Sequence, residues 1–187
     1  MNSSRSLLVL GVTGQVGTLV AQHLKRSDIH FSVGTRRKAN LEELAHQFGA
    51  SRFIDLDDPR TFDEALKDIT GLFLLTGYTV AMLVQSISLI DAAKRNGVKH
   101  IVHLGAFTRE HEYTTVFAWH QMIEAYLRVS GIAWTNLHPN MFMQNLLGWQ
   151  VKGGLYRRIH FETYWVYCFG RRIGSCSRNS HGRARKA

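Results

Sequence analysis

The segment LLVLGVTGQVG at residues 7–17 constrains this chain more than any other. A short apolar run ends at Gly11, and Gly14 and Gly17 complete a GxxGxxG spacing as an amphipathic stretch begins. Each glycine answers a separate steric demand at a strand-to-helix turn. The first permits the tight turn, the second lets backbone approach a pyrophosphate, and the third lets the helix pack closely on the strand. Backbone N–H groups at the start of that helix then face an anion. The motif is informative only inside a strand–turn–helix unit followed by further βαβ units, and the rest of the chain supplies that context.

Apolar runs alternate with helical patterns along the chain, the rhythm of a parallel α/β sheet. Strands are expected at residues 6–10, 30–35, 52–56, 71–76, 100–104 and 132–137. A helix over 15–25 turns Val16, Leu19, Val20 and Leu24 to one face. Another over 41–48 has Asn40 as its N-cap and Gly49 at its end. A third starts at Asp58 and Pro59 and buries Phe62, Ala65 and Leu66. The helix over 80–96 presents Val80, Leu83, Val84, Ile87 and Ile90 inward, and the helix over 117–130 presents Ile123, Tyr126 and Leu127. With right-handed crossovers this order builds an α/β fold, a doubly wound parallel sheet of the Rossmann kind with about six strands. Residues 1–150 are read as one dinucleotide-binding domain and residues 151–187 as an irregular basic tail.

The formal charge of +9 does not mark the domain. Residues 151–187 hold nine Lys/Arg against a single acid, Glu162, whereas residues 1–150 hold 14 Lys/Arg against 13 Asp/Glu. A basic tail of this kind reads as a solvated segment, so nucleic acid is not an expected partner. No apolar run reaches the roughly 18–20 residues of a membrane span, and the start lacks the long apolar stretch of a signal peptide. A cytoplasmic chain is expected, with no membrane partner. Cys168 and Cys176 are too few and too isolated for a disulfide framework or a zinc site, and no metal is expected.

The end of the second strand reads the adenosine ribose in folds of this kind: an acid favours NAD, a basic residue the 2′-phosphate of NADP. Here the sequence is GTRRK at 34–38, with no acid until Glu42. Arg36 is the candidate for bidentate pairing with phosphate, assisted by Arg37 or Lys38. NADP is therefore expected over NAD.

These stretches together resemble the NmrA-like branch of the atypical short-chain dehydrogenases. The resemblance runs over residues 6–148 and rests on GVTGQVG, TRRK at 35–38, DLDDP at 55–59, GLFLLT at 71–76, HIVHL at 100–104 and WHQMIEAYLRVSGIAWTNLHPNMFMQNLL at 119–147. It implies a cofactor site built from Gly11, Thr13, Gly14, Gln15, Val16 and Gly17, with Arg36 and Lys38 at the ribose. Asp55 and Leu56 would lie beside the adenine, and Thr76, Gly77 and Tyr78 near the nicotinamide and its ribose. Asp55 capping a turn and Tyr78 packing on the next helix are the structural alternatives.

The resemblance also brings forward His120, where family members often carry Lys or His. That side chain would hydrogen-bond the nicotinamide ribose or donate a proton, with Glu124 at i+4 orienting it. The YxxxK pair of many short-chain dehydrogenases is absent, because Tyr113 is followed four residues later by Phe117. The usual serine position after the fifth strand reads Gly105-Ala106, with Thr108 nearby. Asn140 and Asn145 either reach a substrate cleft or form turns. His100 and His103 read as packing or edge residues of the fifth strand.

Three functional readings stay open on this basis. One is an NADPH-dependent reductase of a quinone-like or azo acceptor. Another is a non-catalytic NADP(H)-sensing regulator that binds a protein partner. The third is a truncated product with little activity. The family continues past the sixth strand, and residues 151–187 do not resemble that continuation. Permitted codons for residues 165–186, read one base forward, can spell the acidic, alanine-rich GSIASDDESAAAAETLMAGPEK. A frameshifted or truncated C-terminus is accordingly expected, and the gene's nucleotide sequence tests it.

Overall fold

The computed structural model describes residues 6–107, 115–139, 142 and 167–170. The glycine segment does what its spacing predicts. Strand β1 (Leu7–Val9) runs into a glycine turn and then into helix α1 (Gln15–Arg26). There follow β2 (Phe31–Thr35), α2 (Leu41–Phe48), β3 (Ser51–Phe53), α3 (Phe62–Leu66) and β4 (Gly71–Leu74). The chain continues through α4 (Met82–Arg95), β5 (His100–Leu104), α5 (Thr115–Ser130), β6 (Ala133–His138) and β7 (Tyr167–Gly170). The sheet order is β3-β2-β1-β4-β5-β6-β7. The first six strands in the chain are mutually parallel, and β7 lies antiparallel on β6 with Asn136 opposite Phe169. The fold is the expected doubly wound α/β sheet. Strand β7 is an addition that the irregular pattern of the tail did not announce.

The side-chain period of two divides the core between the sheet's faces. Leu8 of β1 belongs to one cluster with Leu72, Leu74, Ile101, Phe62, Leu89 and Ile123, beneath α3, α4 and α5. Its neighbour Val9 belongs to the other, with Phe31, Val33, Ala21, Leu44 and Phe48, beneath α1 and α2. Helices thus cover both faces of β1 and β2, and β2 is buried along its whole length. β5 and β6 alternate instead: Ile101, His103, Trp134 and Asn136 are buried, while the residues between them are half-buried.

Several local expectations shift. Helix α4 begins at Met82, so Val80 precedes it and is 89% exposed, and Val84 is 68% exposed. The buried stripe is Met82, Ser86, Leu89, Ile90 and Ala93, because α4 packs between α3 and α5 as well as on the sheet. Leu19 on α1 is exposed too, and Gly17 and Ala21 are the residues buried there. On α1 small residues mark the contact, since close helix–sheet approach needs them, whereas α4 buries large and small side chains together. Asn40 makes no side-chain cap at α2. Asp58 does cap: its carboxylate accepts from the Arg60 N–H, and Pro59 opens a short turn of 3-10 helix before α3. Thr108, Tyr113, Asn140, Asn145 and Cys176 lie outside the described residues.

Candidate functional site

The site forms where the strand order reverses. β1 sits between β2 and β4, and the connections leaving β1 and β4 part in opposite directions, opening a crevice at their C-terminal ends. Gly11 stands in this crevice with φ +73°, and a Cβ there would lie 2.6 Å from Leu75 Cδ2. Gly14 N–H donates to the Gly11 carbonyl at 2.9 Å, closing the turn. The Thr18 hydroxyl ties the loop to α1 through the carbonyls of Val12 and Gly14, both at 2.7 Å. Gly14 caps α1 without a side chain, and the first turn carries no acid. The free N–H groups at this helix start therefore favour an anion.

Two hollows meet at this loop, sharing Gly11, Gly14 and Leu75. One, of about 540 Å³, is bounded by Thr13, Arg36, Arg37, Asp55, Leu56 and Gly77, among others. Arg36 is exposed on its rim and belongs to no ion pair among the described residues. Lys38 is not part of this lining; its ammonium lies 4.9 Å from the centroid of the Phe53 ring. Asp55 lines the hollow and also makes the turn contact weighed above, its Oδ1 accepting from Asp57 N–H at 3.1 Å. Gln85 Nε2 reaches across from α4 to Asp57 Oδ1 at 2.6 Å.

The other hollow, of about 630 Å³, is bounded by Gln15, Val16, Thr76, Tyr78, Phe117 and His120, with Gly105 and Ala106 below. Apart from Lys38, and Gly17 buried behind the loop, every residue expected at a cofactor therefore lines one hollow or the other. The exposed Tyr78 ring stands edge-on to His120, with centroids 5.7 Å apart. Tyr78 thus borders the hollow, and its ring contacts His120 of α5.

His120 is 3% exposed and sits on α5 directly above β5. Its Nδ1 lies 3.4 Å from His103 Nε2, and His103 Nδ1 lies 3.3 Å from Asn136 Oδ1. His103 is neither an edge residue nor simple packing: it is buried and polar, in register with Asn136 across the β5–β6 pair. Burial, aided by the His120 charge, pushes the His103 imidazole down to about 3, against a weaker opposite pull from Asn136. Burial likewise lowers His120 to about 4, with Glu124 acting in the raising direction and His138 in the lowering one. Both rings are neutral at neutral pH. Glu124 influences His120 through charge, while its hydrogen bond goes elsewhere: Oε1 lies 2.6 Å from His138 Nε2, and Oε2 lies 3.8 Å from Arg128.

A model of the NmrA-like family matches residues 3–155. The chain belongs to the NmrA-like family. It is 32% identical over 142 residues to the NAD(P)H azoreductase of Xenophilus azovorans, covering 75% of this chain and 50% of that one. It is 27% identical over 146 residues to the agroclavine dehydrogenase of Claviceps fusiformis, covering 75% and 48%. Among solved structures it is similar to the Citrobacter sp. triphenylmethane reductase complexed with NADP(H), with a TM-score of 0.71 and 26% identity over 78% of this chain and 54% of that one. It is also similar to the Escherichia coli NADPH-dependent quinone oxidoreductase complexed with NADPH, with a TM-score of 0.67 and 27% identity over 76% and 51%. This NmrA-like chain spans about half the length of these curated relatives. Among its described residues no helix is long and apolar enough to cross a membrane.

Asn136 and the inward role of His103 are what sequence reasoning missed. A signal was present. In a strand that turns Ile101 inward, the period of two turns His103 inward as well, and Trp134 carries Asn136 with it.

Proposed function

We propose that this NmrA-like chain binds NADPH in preference to NADH and holds it for reduction of a quinone-like or azo acceptor. The observation that carries the reading is the junction of the two hollows at Gly11, Gly14 and Leu75, with Arg36 at one end and His120 at the other. The residues fit the group. Gly14 lines both hollows with no side chain, α1 offers uncapped N–H donors, and hollows of about 540 and 630 Å³ meet at the loop, one for each half of a dinucleotide.

The stretch Gly11, Thr13, Gly14, Gln15, Val16 and Gly17 would cradle the pyrophosphate. Arg36 would pair with the 2′-phosphate, with Arg37 beside it; Lys38 joins them only by leaving Phe53. Asp55 and Leu56 would flank the adenine, and Thr76, Gly77, Tyr78 and His120 the nicotinamide end. The bound reduced nicotinamide supplies the hydride, so the protein's task is to position and shield the reactants. Leu104, Ala106, Phe107 and Phe117 give the His120 hollow an apolar wall suited to a flat aromatic acceptor. Acceptors of this class are also those in the names of the azoreductase and quinone oxidoreductase relatives. Residues 1–150 form the binding unit in this reading, in the cytoplasm.

Calorimetric titration with NADPH and NADH, followed by NADPH consumption with a panel of quinones and azo dyes, tests the reading. NADPH is expected to bind more tightly and to be consumed with at least one acceptor. Tighter binding of NADH would overturn the Arg36 assignment, and NADPH binding without any turnover would favour a sensing regulator.

A further inference from the structure

Behind the wall of the His120 hollow lies a polar chain to which no role has yet been given. Asn136 is 0% exposed and His103 1% exposed, on adjacent strands and in register, at positions whose neighbours Trp134 and Ile101 are apolar core. Burying polar groups there is costly unless each finds a partner. Two atoms of the chain have none among the described residues: Asn136 Nδ2, and His120 Nε2 at the other end. His120 lines the hollow while its Nε2 is itself buried, so a small side-chain shift that opens this nitrogen to the hollow makes an incoming ligand its natural partner.

The chemistry of the links gives the chain a direction. Asn136 Oδ1 is a carbonyl oxygen and only accepts, so His103 Nδ1 carries a proton and donates to it. The neutral His103 ring then has a bare Nε2, which accepts from His120 Nδ1–H. We propose that Asn136 and His103 are positioning residues that hold the ring proton of His120 on Nδ1, so that its bare Nε2 offers the hollow a hydrogen-bond acceptor for a ligand O–H group. The ligand half of this inference rests on the dinucleotide reading above; the tautomer half does not. Burial supports it by disfavouring charge on both rings. Among the described residues the other titratable groups around the pair are Tyr78 after β4, Glu124 on α5 and His138 on β6, and the raising influence of Glu124 on His120 does not overcome burial. His120 in this state receives a hydrogen bond rather than giving a proton.

The O–H group has two sources, a ribose hydroxyl of the nicotinamide half or a hydroxyl of the reduced acceptor. Two-bond proton–nitrogen correlation spectra of the full chain, with histidine nitrogens labelled, test the inference. His120 is assigned by the signals lost in His120→Phe. The expected result in the ligand-free protein is a protonated Nδ1 and a bare Nε2 on His120. Asn136→Leu, a swap of similar shape, is expected to lose the single tautomer. Finding His120 protonated on Nε2, or unchanged in Asn136→Leu, overturns the proposal. A shift of the bare-nitrogen signal on adding NADPH alone identifies the ribose. A shift only with NADP⁺ and a hydroquinone together identifies the reduced acceptor. No shift with either, while calorimetry shows NADPH bound, overturns the ligand half. Failure of NADPH to bind by calorimetry sinks the dinucleotide reading instead, and leaves the tautomer result to be judged on the free protein.

Discussion

A Cβ on residue 17 would lie 2.2 Å from the carbonyl oxygen of Gly11, so the helix and the turn approach each other as closely as backbone allows. Gly14 differs. It is extended, with φ −104°, and its added Cβ would meet nothing nearer than the same oxygen at 3.4 Å. Gly17→Ala is therefore expected to destabilise the fold by about 1–3 kcal/mol through overpacking. Gly14→Ala should stay within about 0.5 kcal/mol of the parent yet is expected to weaken NADPH binding, because Gly14 lines both hollows where the loop would meet the pyrophosphate. Urea unfolding midpoints and calorimetry on the two variants separate these effects. Equal stability losses would refute the distinction.

Arg36 stands on the rim of the hollow with its guanidinium outside any ion pair among the described residues. Removing a charge-assisted contact to phosphate typically costs about 1.5–3 kcal/mol, or roughly 10–100-fold in affinity. Arg36→Ala is expected to weaken NADPH by that factor and to leave NADH nearly unchanged. Equal loss for both nucleotides would mean that Arg36 reads something other than the 2′-phosphate.

The buried histidines set a pH dependence with a definite sign. Both hold their imidazoles well below the ordinary 6.5, at about 3 for His103 and about 4 for His120. The unfolded chain therefore binds more protons than the folded one between those values and 6.5. Their contribution is intact above pH 6.5, falls as pH drops below it, and stops falling once the folded rings protonate near pH 4 and pH 3. The expected loss between pH 7 and pH 4.5 is on the order of a few kcal/mol. Unfolding midpoints across that range are the measurement. A flat profile would show that these rings are not buried neutral.

Glu124 links His120 to His138. Its carboxylate is almost fully buried and holds His138, while its charge favours protonation of His120. Glu124→Gln keeps the shape and removes the charge. His120 should then move further down from about 4, since the one raising influence on it is gone. Stability should fall by about 1–3 kcal/mol as His138 loses its charged partner. Titration of the His120 nitrogen signals reads the direction; an upward movement would contradict it.

Much of the fold was legible in the chain because its causes are local. A glycine that must take positive φ at 11, one that must lack a Cβ at 17, and apolar runs of strand length all leave marks within a few residues. The residues of the first hollow were legible for the same reason, since strand ends at a switch point supply them in sequence order. The stripe on α4 was not, because Val80 and Val84 are apolar yet solvent-facing, and the packing of α3 and α5 decides which side is inward. Lys38 was expected at the ribose by its neighbours, but the Phe53 ring on the next strand draws its ammonium away.

What the sequence by itself determined is the βαβ order, the phosphate-type turn and the basic residue that replaces an acid after β2. What only the tertiary structure decided is the company His120 keeps. His103, His120 and Asn136 come from β5, α5 and β6, and nothing in their spacing states that they touch. Sheet register sets His103 beside Asn136, and the crossover of α5 lowers His120 onto them. A hydrogen-bond chain built across three elements is a property of their packing, and no local pattern encodes it.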